Sequence, residues 1–279
     1  MNPGTTSYHL GINIGASSIS TVEVQKTDGH LKVISHKTLT HHGNPKQLIE
    51  EIFKNDTPAN IVVTGRKFRS LLNITSIPEP EAVELSAEYL KLDTDIIISA
   101  GGENFIIYLL DKNRKISKCM TGNKCASGTG EFFLQQIKRM DLTVEEAINI
   151  DDGTEVYNIS GRCSVFCKSD CTHALNKGIS KSNVIAGLCR MMANKIIELT
   201  SHISCDRAVI IGGVARNRKI LSTLKGHFNE LIVPDQAAYF EALGAALYST
   251  KHEVTPVNID DLFRKEHVSF TFHKDLKEF

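Results

Sequence analysis

The sequence has no excess of positive or negative charge, and this balance limits the kinds of binding partner that we expect. Its 279 residues contain 32 Lys and Arg against 32 Asp and Glu, so the formal net charge is zero. Proteins that bind nucleic acids or anionic membrane surfaces usually show a clear basic excess. The composition therefore argues against nucleic acid, and against a membrane surface, as the main partner.

The chain also lacks a long apolar run and a secretion signal. No stretch reaches the roughly 18–20 apolar residues that span a bilayer. Residues 1–15 do not combine a basic segment with an apolar one. We therefore expect a cytoplasmic protein. Its length and its 41% hydrophobic content are sufficient for one large domain or two medium ones.

Seven cysteines are present in this chain, for which we expect a reducing compartment. They are Cys119, Cys125, Cys163, Cys167, Cys171, Cys189 and Cys205. Clustered thiols in such a compartment indicate metal or redox chemistry more often than disulfides. Cys189 and Cys205 are interpreted as packing residues, and the other thiols are candidates for chemistry.

Strand and helix signals alternate twice along the chain, which suggests a duplicated α/β unit. The first set comprises strands at 8–14, 19–25, 31–38 and 60–64 and helices at 46–55 and 81–91. The second set comprises strands at 95–99, 104–110, 115–119 and 207–211 and helices at 129–139, 182–202 and 239–249. We expect a first lobe over 1–95 and a second over 96–250, with the helix 239–249 able to return to the first lobe. Residues 251–279 are expected to form a tail or linker.

Four glycine-containing motifs follow the apolar strands. They are residues 11–18 (GINIGASS), 99–104 (SAGGEN), 211–217 (IGGVARN) and 241–246 (EALGAA). Glycine turns can hold phosphate oxygens with backbone N–H groups, and a diglycine before a helix lets a ligand lie against the backbone. The small residues of the last motif allow close helix packing. Each motif alone is weak evidence, and an ordinary glycine turn is the simpler interpretation of the first.

The order and spacing of these motifs resemble the actin, sugar-kinase and Hsp70 fold. This resemblance implies an α/β, actin-like (ribonuclease H-like) fold of two duplicated lobes with a nucleotide cleft between them. One loop from each lobe would hold the phosphates, and the diglycine of the second lobe would lie beside the adenosine.

A closer resemblance lies in the middle of the chain. Residues 123–130 (NKCASGTG) are similar to a Cys-Ala-Ala-Gly-Thr-Gly segment, and residues 159–166 (ISGRCSVF) to a second cysteine segment, of the BadF/BadG/BcrA/BcrD ATPase-type family. The similarity covers roughly residues 8–250. The family includes activators of 2-hydroxyacyl-CoA dehydratases and ATPase subunits of benzoyl-CoA reductase.

The resemblance implies a set of cofactors, partners and site residues. It implies ATP or ADP with Mg²⁺, and a homodimer with one 4Fe–4S cluster bound by Cys125 and Cys163 of each subunit. It also implies that ATP-driven movement of the lobes drives one electron into an acyl-CoA dehydratase or reductase-type partner. The residues expected to bind the nucleotide are Gly11, Gly15, Ala16, Ser17, Ser18, Gly101, Gly102, Gly128, Thr129, Gly130, Gly212, Gly213, Val214, Arg216 and Gly244.

The sequence departs from the family pattern at both phosphate loops. Aspartates of the family are replaced here by Asn13 and Ser99, and Glu103 is the acidic residue that remains in the second loop. We take these three as the positions of the catalytic groups. Loss of both carboxylates removes anionic oxygen from the place where Mg²⁺ would bind.

Two further cysteines follow Cys163 at four-residue spacing, which places neighbouring thiols on one face of a helix. Cys167 and Cys171 could extend the metal site or could pack in the core.

Three functions remain open at this point. The first is an ATP-dependent, cluster-containing electron donor. The second is a degenerate nucleotide-binding module that no longer hydrolyses ATP, as a domain of a longer protein. The third is a small-molecule kinase of the same fold, which would leave the cysteine segments unexplained and which normally needs an aspartate base near the second loop.

Overall fold

Two mixed β-sheets organise the computed structural model, which describes residues 5–54, 60–122, 128–151, 153–161 and 163–264. The first sheet contains β1 (Thr6–Ile14), β2 (Ser18–Thr27), β3 (His30–Thr40) and β4 (Asn60–Thr64). Its order is β3-β2-β1-β4, with β1 antiparallel to β2 and parallel to β4.

The second sheet repeats this arrangement and adds one strand. It contains β5 (Ile96–Ala100), β6 (Phe105–Leu110), β7 (Ile116–Thr121), β8 (Arg207–Ile211) and β9 (Glu230–Ile232), in the order β7-β6-β5-β8-β9. Strand β5 is antiparallel to β6 and parallel to β8, as β1 is to β2 and β4. The repeated topology confirms the duplicated fold predicted from the strand pattern.

Eight α-helices of the described residues pack on these sheets. They are α1 (Pro45–Phe53), α2 (Glu79–Tyr89), α3 (Gly130–Arg139), α4 (Val144–Ile148), α5 (Ser164–Asn176), α6 (Lys181–Thr200), α7 (Arg218–Lys225) and α8 (Phe240–Lys251). Helix α6 is the longest, and its apolar side lies in the core of the second lobe. None of the helices in the described ranges is long and apolar enough to cross a membrane.

Helix α8 packs against β1, β4 and α2 of the first lobe, because glycines at the contacts let the backbones approach. A side-chain carbon at Gly244 would overlap the carbonyl oxygen of Ala82 in α2, and one at Gly11 would overlap the backbone of Ala242 and Ala246. Gly11 and Gly244, which we expected to bind nucleotide, are therefore helix-packing positions that do not line the cleft described below.

The chain after α8 differs from the tail or linker that its polar sequence suggested. Leu262 is buried in the core of the first lobe. Its carbonyl accepts from Asn73 N at 2.9 Å, and Arg264 N donates to Leu71 O at 2.8 Å. The buried Leu262, the partly buried Val257 and Phe263 and several hydrogen bonds hold this segment, and the spacing of its apolar residues shows no periodicity.

The close packing of α8 predicts a specific sensitivity at Gly244. Substitution of glycine by alanine inside an exposed helix would stabilise it by about 1 kcal/mol. At Gly244 the methyl group must displace the Ala82 carbonyl, so we expect Gly244→Ala to lower the free energy of unfolding by about 3 kcal/mol in urea titrations. Gly226→Ala is the control, because a carbon there makes only an ordinary contact at 3.5 Å. Equal stabilities of the two variants would contradict the packing described here.

Candidate functional site

A cleft of about 440 Å³ lies between the two lobes and contains residues of both. The turn after β1, the loop after β5 and the turn after β8 all reach it, because the corresponding strands of the two sheets end on the side where the lobes face each other. Helices α3, α4, α6 and α8 also contribute to its walls.

The first glycine loop is a tight turn between β1 and β2. Gly15 N donates to Ser18 O at 2.9 Å. Ser17, at its tip, lies directly against Gly102 of the second loop, where any side chain would strike the Ser17 hydroxyl. The two loops predicted from sequence are thus brought face to face across the cleft.

The second glycine loop is joined by hydrogen bonds to the start of α3. Gly130 N donates to Gly101 O at 3.2 Å, and Glu131 N donates to Gly102 O at 2.9 Å. The Ser17 hydroxyl donates to the Glu131 carboxylate at 2.9 Å. Both loops therefore contact the first turn of the helix that follows the first cysteine segment.

The end of the cleft formed by the turn after β8 is largely apolar. Gly212 has φ of 92°, and a side-chain carbon there would lie 2.6 Å from Ala100 O, so a glycine is needed where β8 passes β5. Gly213 faces open space. The apolar wall beyond it consists of Phe133, Leu134, Val144, Ile148, Met192, Val214 and Ile220. Arg216 lies at this end and forms a 2.7 Å salt bridge with Glu145 of α4.

A buried carboxylate, Glu241 at the start of α8, faces the centre of the cleft. Only 4% of its surface is exposed, and the Ser99 hydroxyl donates to its Oε1 at 3.0 Å. Burial, and secondarily the negative charge of Glu79, raise the pKa of Glu241 to about 7.

Asn13, at the end of β1, brings a second oxygen to the cleft. Its Oδ1 atom is buried and has no hydrogen-bond partner among the described residues. An orphaned buried acceptor costs free energy, and such atoms at a cleft wall are typical of ligand sites.

The other charged groups of the cleft are paired with each other. Arg66 Nε lies 2.8 Å from Glu79 Oε2. Lys67 Nζ lies 2.8 Å from Glu103 Oε1 at the mouth, where the Glu103 side chain is 41% exposed. Glu103, which we expected among the catalytic positions, thus forms an exposed bridge between the lobes.

Most of the nucleotide-binding positions predicted from sequence line this cleft. They are Gly15, Ala16, Ser17, Ser18, Gly101, Gly102, Gly130, Gly212, Gly213, Val214 and Arg216, together with the catalytic positions Asn13, Ser99 and Glu103. Gly128 and Thr129 do not line it. Thr129 caps α3, accepting from Phe132 N at 3.2 Å, and Gly128 lies against the Lys195 side chain.

The second cysteine segment lies at the surface of the second lobe. Cys163 is half-buried and is the residue immediately before α5. The next two large side chains, Val165 and Phe166, are 69% and 63% exposed. Cys125 lies outside the described residues, within which no three His, Cys, Asp or Glu side chains are grouped as for a metal ion.

The two cysteine segments approach each other at one residue of α6. Gly128 of the first segment and Gly161 of the second both lie against the side chain of Lys195. The structure thus places residues that flank Cys125 and Cys163 in the sequence on the same side of the second lobe.

Cys167 and Cys171 lie on the inner face of α5, in the hydrophobic core. Their side chains are hydrogen-bonded to each other, and this bond together with burial raises the pKa of the Cys167 thiol. Their burial favours the packing alternative over metal ligation.

Sequence reasoning missed Arg66, Glu79 and Glu241 as cleft residues. Arg66 belongs to a Thr64-Gly65-Arg66 stretch that resembles a family segment only imperfectly, and Glu79 lies between two prolines without a loop motif. Glu241 carried a usable signal, since an acidic residue begins an otherwise small and apolar helical run, EALGAAL.

The fold and cleft define a class of protein. A solved structure, the activator of the 2-hydroxyisocaproyl-CoA dehydratase from Clostridium difficile with bound ADPNP, superposes with a TM-score of 0.76 at 26% identity, covering 90% of this chain and 99% of that one. The chain has the actin-like fold of two duplicated lobes shared by ATPases of this type.

The family follows from the sequence match over most of the chain. The model of the BadF/BadG/BcrA/BcrD ATPase family matches residues 11–249, and the chain belongs to this family. The 2-hydroxyisocaproyl-CoA dehydratase activator of Clostridioides difficile is 28% identical, over 87% of this chain and 94% of its own. The (R)-2-hydroxyglutaryl-CoA dehydratase activating ATPase of Acidaminococcus fermentans is 28% identical, over 88% of this chain and 97% of its own.

Proposed function

We propose that this chain is a nucleotide-binding iron–sulfur activator, a one-electron donor to an acyl-CoA dehydratase or a benzoyl-CoA reductase-type enzyme. One observation carries this proposal: the second glycine loop is hydrogen-bonded through Gly101 and Gly102 to the first turn of α3. The helix that follows the first cysteine segment therefore shares its N-terminus with the cleft. Several similar proteins are named as activators of such dehydratases.

The cleft suits ATP or ADP. The facing loops at Gly15–Ser18 and Gly101–Gly102 offer backbone N–H groups and hydroxyls to phosphate oxygens. The apolar wall beside Gly213 suits an adenine ring, and Arg216 lies at its edge. We place the phosphates between the loops and the adenosine at the apolar side. A bound nucleotide analogue, ADPNP, is named in the solved relative, which supports nucleotide binding.

The cysteine segments suit a shared 4Fe–4S cluster. Thiolates are the ligands that such clusters use, four at a time. Cys163 is reachable from the surface, and the exposed Val165 and Phe166 beside it provide an apolar surface for a second subunit. We propose a homodimer in which Cys125 and Cys163 of each subunit hold one cluster. Low-potential one-electron transfer is the chemistry that such a cluster supplies when bound.

The protein would stabilise the anionic cluster through positive groups that it already contains. Cys163 is the N-cap residue of α5, so a thiolate at this position lies at the positive end of the helix dipole. Lys195 lies against both cysteine segments and adds a positive charge nearby. Because thiolate ligands must stay reduced before assembly, we place the protein in the cytoplasm.

A second candidate function has one observation in its favour. Asn13 and Ser99 stand where the family has phosphate-loop aspartates, which favours a module that binds nucleotide without hydrolysing it. Measuring phosphate release from ATP distinguishes the two functions. An activator that hydrolyses ATP releases phosphate, and a module that only binds nucleotide does not.

Gly213→Val tests the nucleotide cleft. A carbon at Gly213 meets no atom within 4 Å, so the fold tolerates it, but the added side chain enters the cleft beside the proposed adenosine position. We expect ADP affinity to fall at least about tenfold by calorimetry, which corresponds to about 1.4 kcal/mol. The exposed Gly226→Val is the control. Equal ADP affinity of the two variants would contradict this placement.

Cys163→Ala tests the cluster. Protein prepared without oxygen should contain about four irons and four sulfides per dimer, as expected for one cluster with four thiolate ligands. We expect Cys163→Ala to lose this iron and the visible absorption, because one ligand per subunit is removed. Cys205→Ala, a half-buried thiol remote in sequence from both segments, should retain them. Full iron content in Cys163→Ala would rule out this ligand.

A further inference from the structure

The first glycine loop has no carboxylate, and that of the second loop, Glu103, is paired with Lys67 at the mouth of the cleft. The cleft contains a further carboxylate from another element. Asn13 and Ser99 occupy the ends of β1 and β5, where the loops begin. Glu241 comes from α8, and the Ser99 hydroxyl donates to it at 3.0 Å. The carboxylate of Glu241 therefore lies one hydrogen bond from the start of the second loop.

Glu241 differs from the other charged residues of the cleft, which form salt bridges with one another. Its charged lining residues are Arg66, Lys67, Glu79, Glu103, Glu145, Arg216 and Glu241. Three salt bridges, Arg66–Glu79, Lys67–Glu103 and Arg216–Glu145, pair six of them. Within the described part of the chain, Glu241 takes part in no salt bridge, although it is the most buried of the seven.

A buried carboxylate without a counter-charge is unfavourable, and proteins resolve this in two ways. The group is protonated, or a cation binds beside it. Without a cation beside it, burial favours protonation of Glu241 and raises its pKa to about 7. A nucleotide brings a divalent cation with its phosphates, and this cation would neutralise the carboxylate.

The side-chain oxygen of Asn13 favours the second of these two ways, the binding of a cation. Asn13 Oδ1 is a buried carbonyl oxygen without a partner among the described residues. Carboxylate and amide oxygens are the ligands that Mg²⁺ takes from proteins, usually one or two together with water and phosphate. Glu103 is unsuitable, because it is paired with Lys67 at the exposed mouth.

We propose that Glu241 and Asn13 together bind the hydrated divalent cation that accompanies the nucleotide, with Glu241 taking over from α8 the role of the missing loop carboxylate. The inference rests on the proposed nucleotide site and deepens it. Ser99, which hydrogen-bonds to Glu241, orients the carboxylate and is a positioning residue.

The test compares ADP affinity with and without cation. The affinity in EDTA reports on the nucleotide site, and the change on adding Mg²⁺ reports on the cation site. Calorimetric dissociation constants are measured in EDTA and in Mg²⁺ for the wild type, Glu241→Gln and Glu103→Gln. We expect Glu241→Gln to bind ADP in EDTA at least as tightly as the wild type. The Mg²⁺ enhancement, which is the gain in ADP affinity on adding Mg²⁺, should be about 10- to 100-fold smaller in this variant. Glu103→Gln should keep the full enhancement.

Two further measurements guard against a merely structural effect. Ser99→Asp in the Glu241→Gln background returns a carboxylate to the second loop, and we expect it to restore most of the lost enhancement. The affinity of the protein–ADP complex for Mn²⁺ can be measured by electron paramagnetic resonance. We expect this affinity to fall by the same factor in Glu241→Gln. If Glu241→Gln does not fold, Glu241→Ala is measured in its place.

The possible results distinguish failure of the proposed nucleotide site from failure of the assignment of Glu241. A wild type that binds no nucleotide in either buffer overturns the proposed function and this inference together. Nucleotide binding with an Mg²⁺ enhancement that is unchanged in Glu241→Gln, or lost in Glu103→Gln instead, overturns only the assignment of Glu241. Loss of the enhancement in Glu241→Gln with rescue by Ser99→Asp supports it.

Discussion

Two backbone hydrogen bonds, from Gly130 and Glu131 to the carbonyls of Gly101 and Gly102, connect the functional parts of this molecule. They make the second glycine loop and the first turn of α3 a single unit. A loop that moves with bound phosphate would therefore move α3 with it, and α3 begins at Gly130, the last residue of the cysteine segment 123–130. The Ser17–Glu131 hydrogen bond adds the first lobe to the same unit. A change in lobe separation would therefore move the start of α3, which adjoins the first cysteine segment in the sequence.

The packing of α8 is the second constraint on the site. Because Gly11 and Gly244 allow backbone contact, α8 lies close against the first lobe, while Glu241 at its beginning reaches Ser99 of the second. One helix therefore contacts both lobes at the cleft floor. A carboxylate on this helix can respond to lobe closure as well as to ligand charge, since its hydrogen-bond partner belongs to the opposite lobe.

The fold was predictable from sequence because its signals are local. Apolar strands ended by glycine turns indicated most strands of both sheets, and the repeated pattern suggested the duplication. The loops that line the cleft were predicted for the same reason. The actin-like fold itself was predicted from the resemblance of the motifs, and the short strand β9 was not predicted. Glu241 was not assigned to the site, because its contact with Ser99 joins residues 142 positions apart. The segment around Leu262 was missed because its few apolar contacts and its hydrogen bonds leave no periodic pattern. The boundaries of the lobes and the cluster ligands remain predictions.

The central claim is that nucleotide in the cleft is coupled to a cluster at the cysteine segments. The most direct test is electron paramagnetic resonance of the reduced protein, prepared without oxygen, before and after saturation with ATP and Mg²⁺. The account predicts a 4Fe–4S signal whose g-values or line shape change on nucleotide addition, because the loop and α3 move as one unit. A protein without such a signal, or a signal unaltered by nucleotide that binds in a parallel titration, would contradict it.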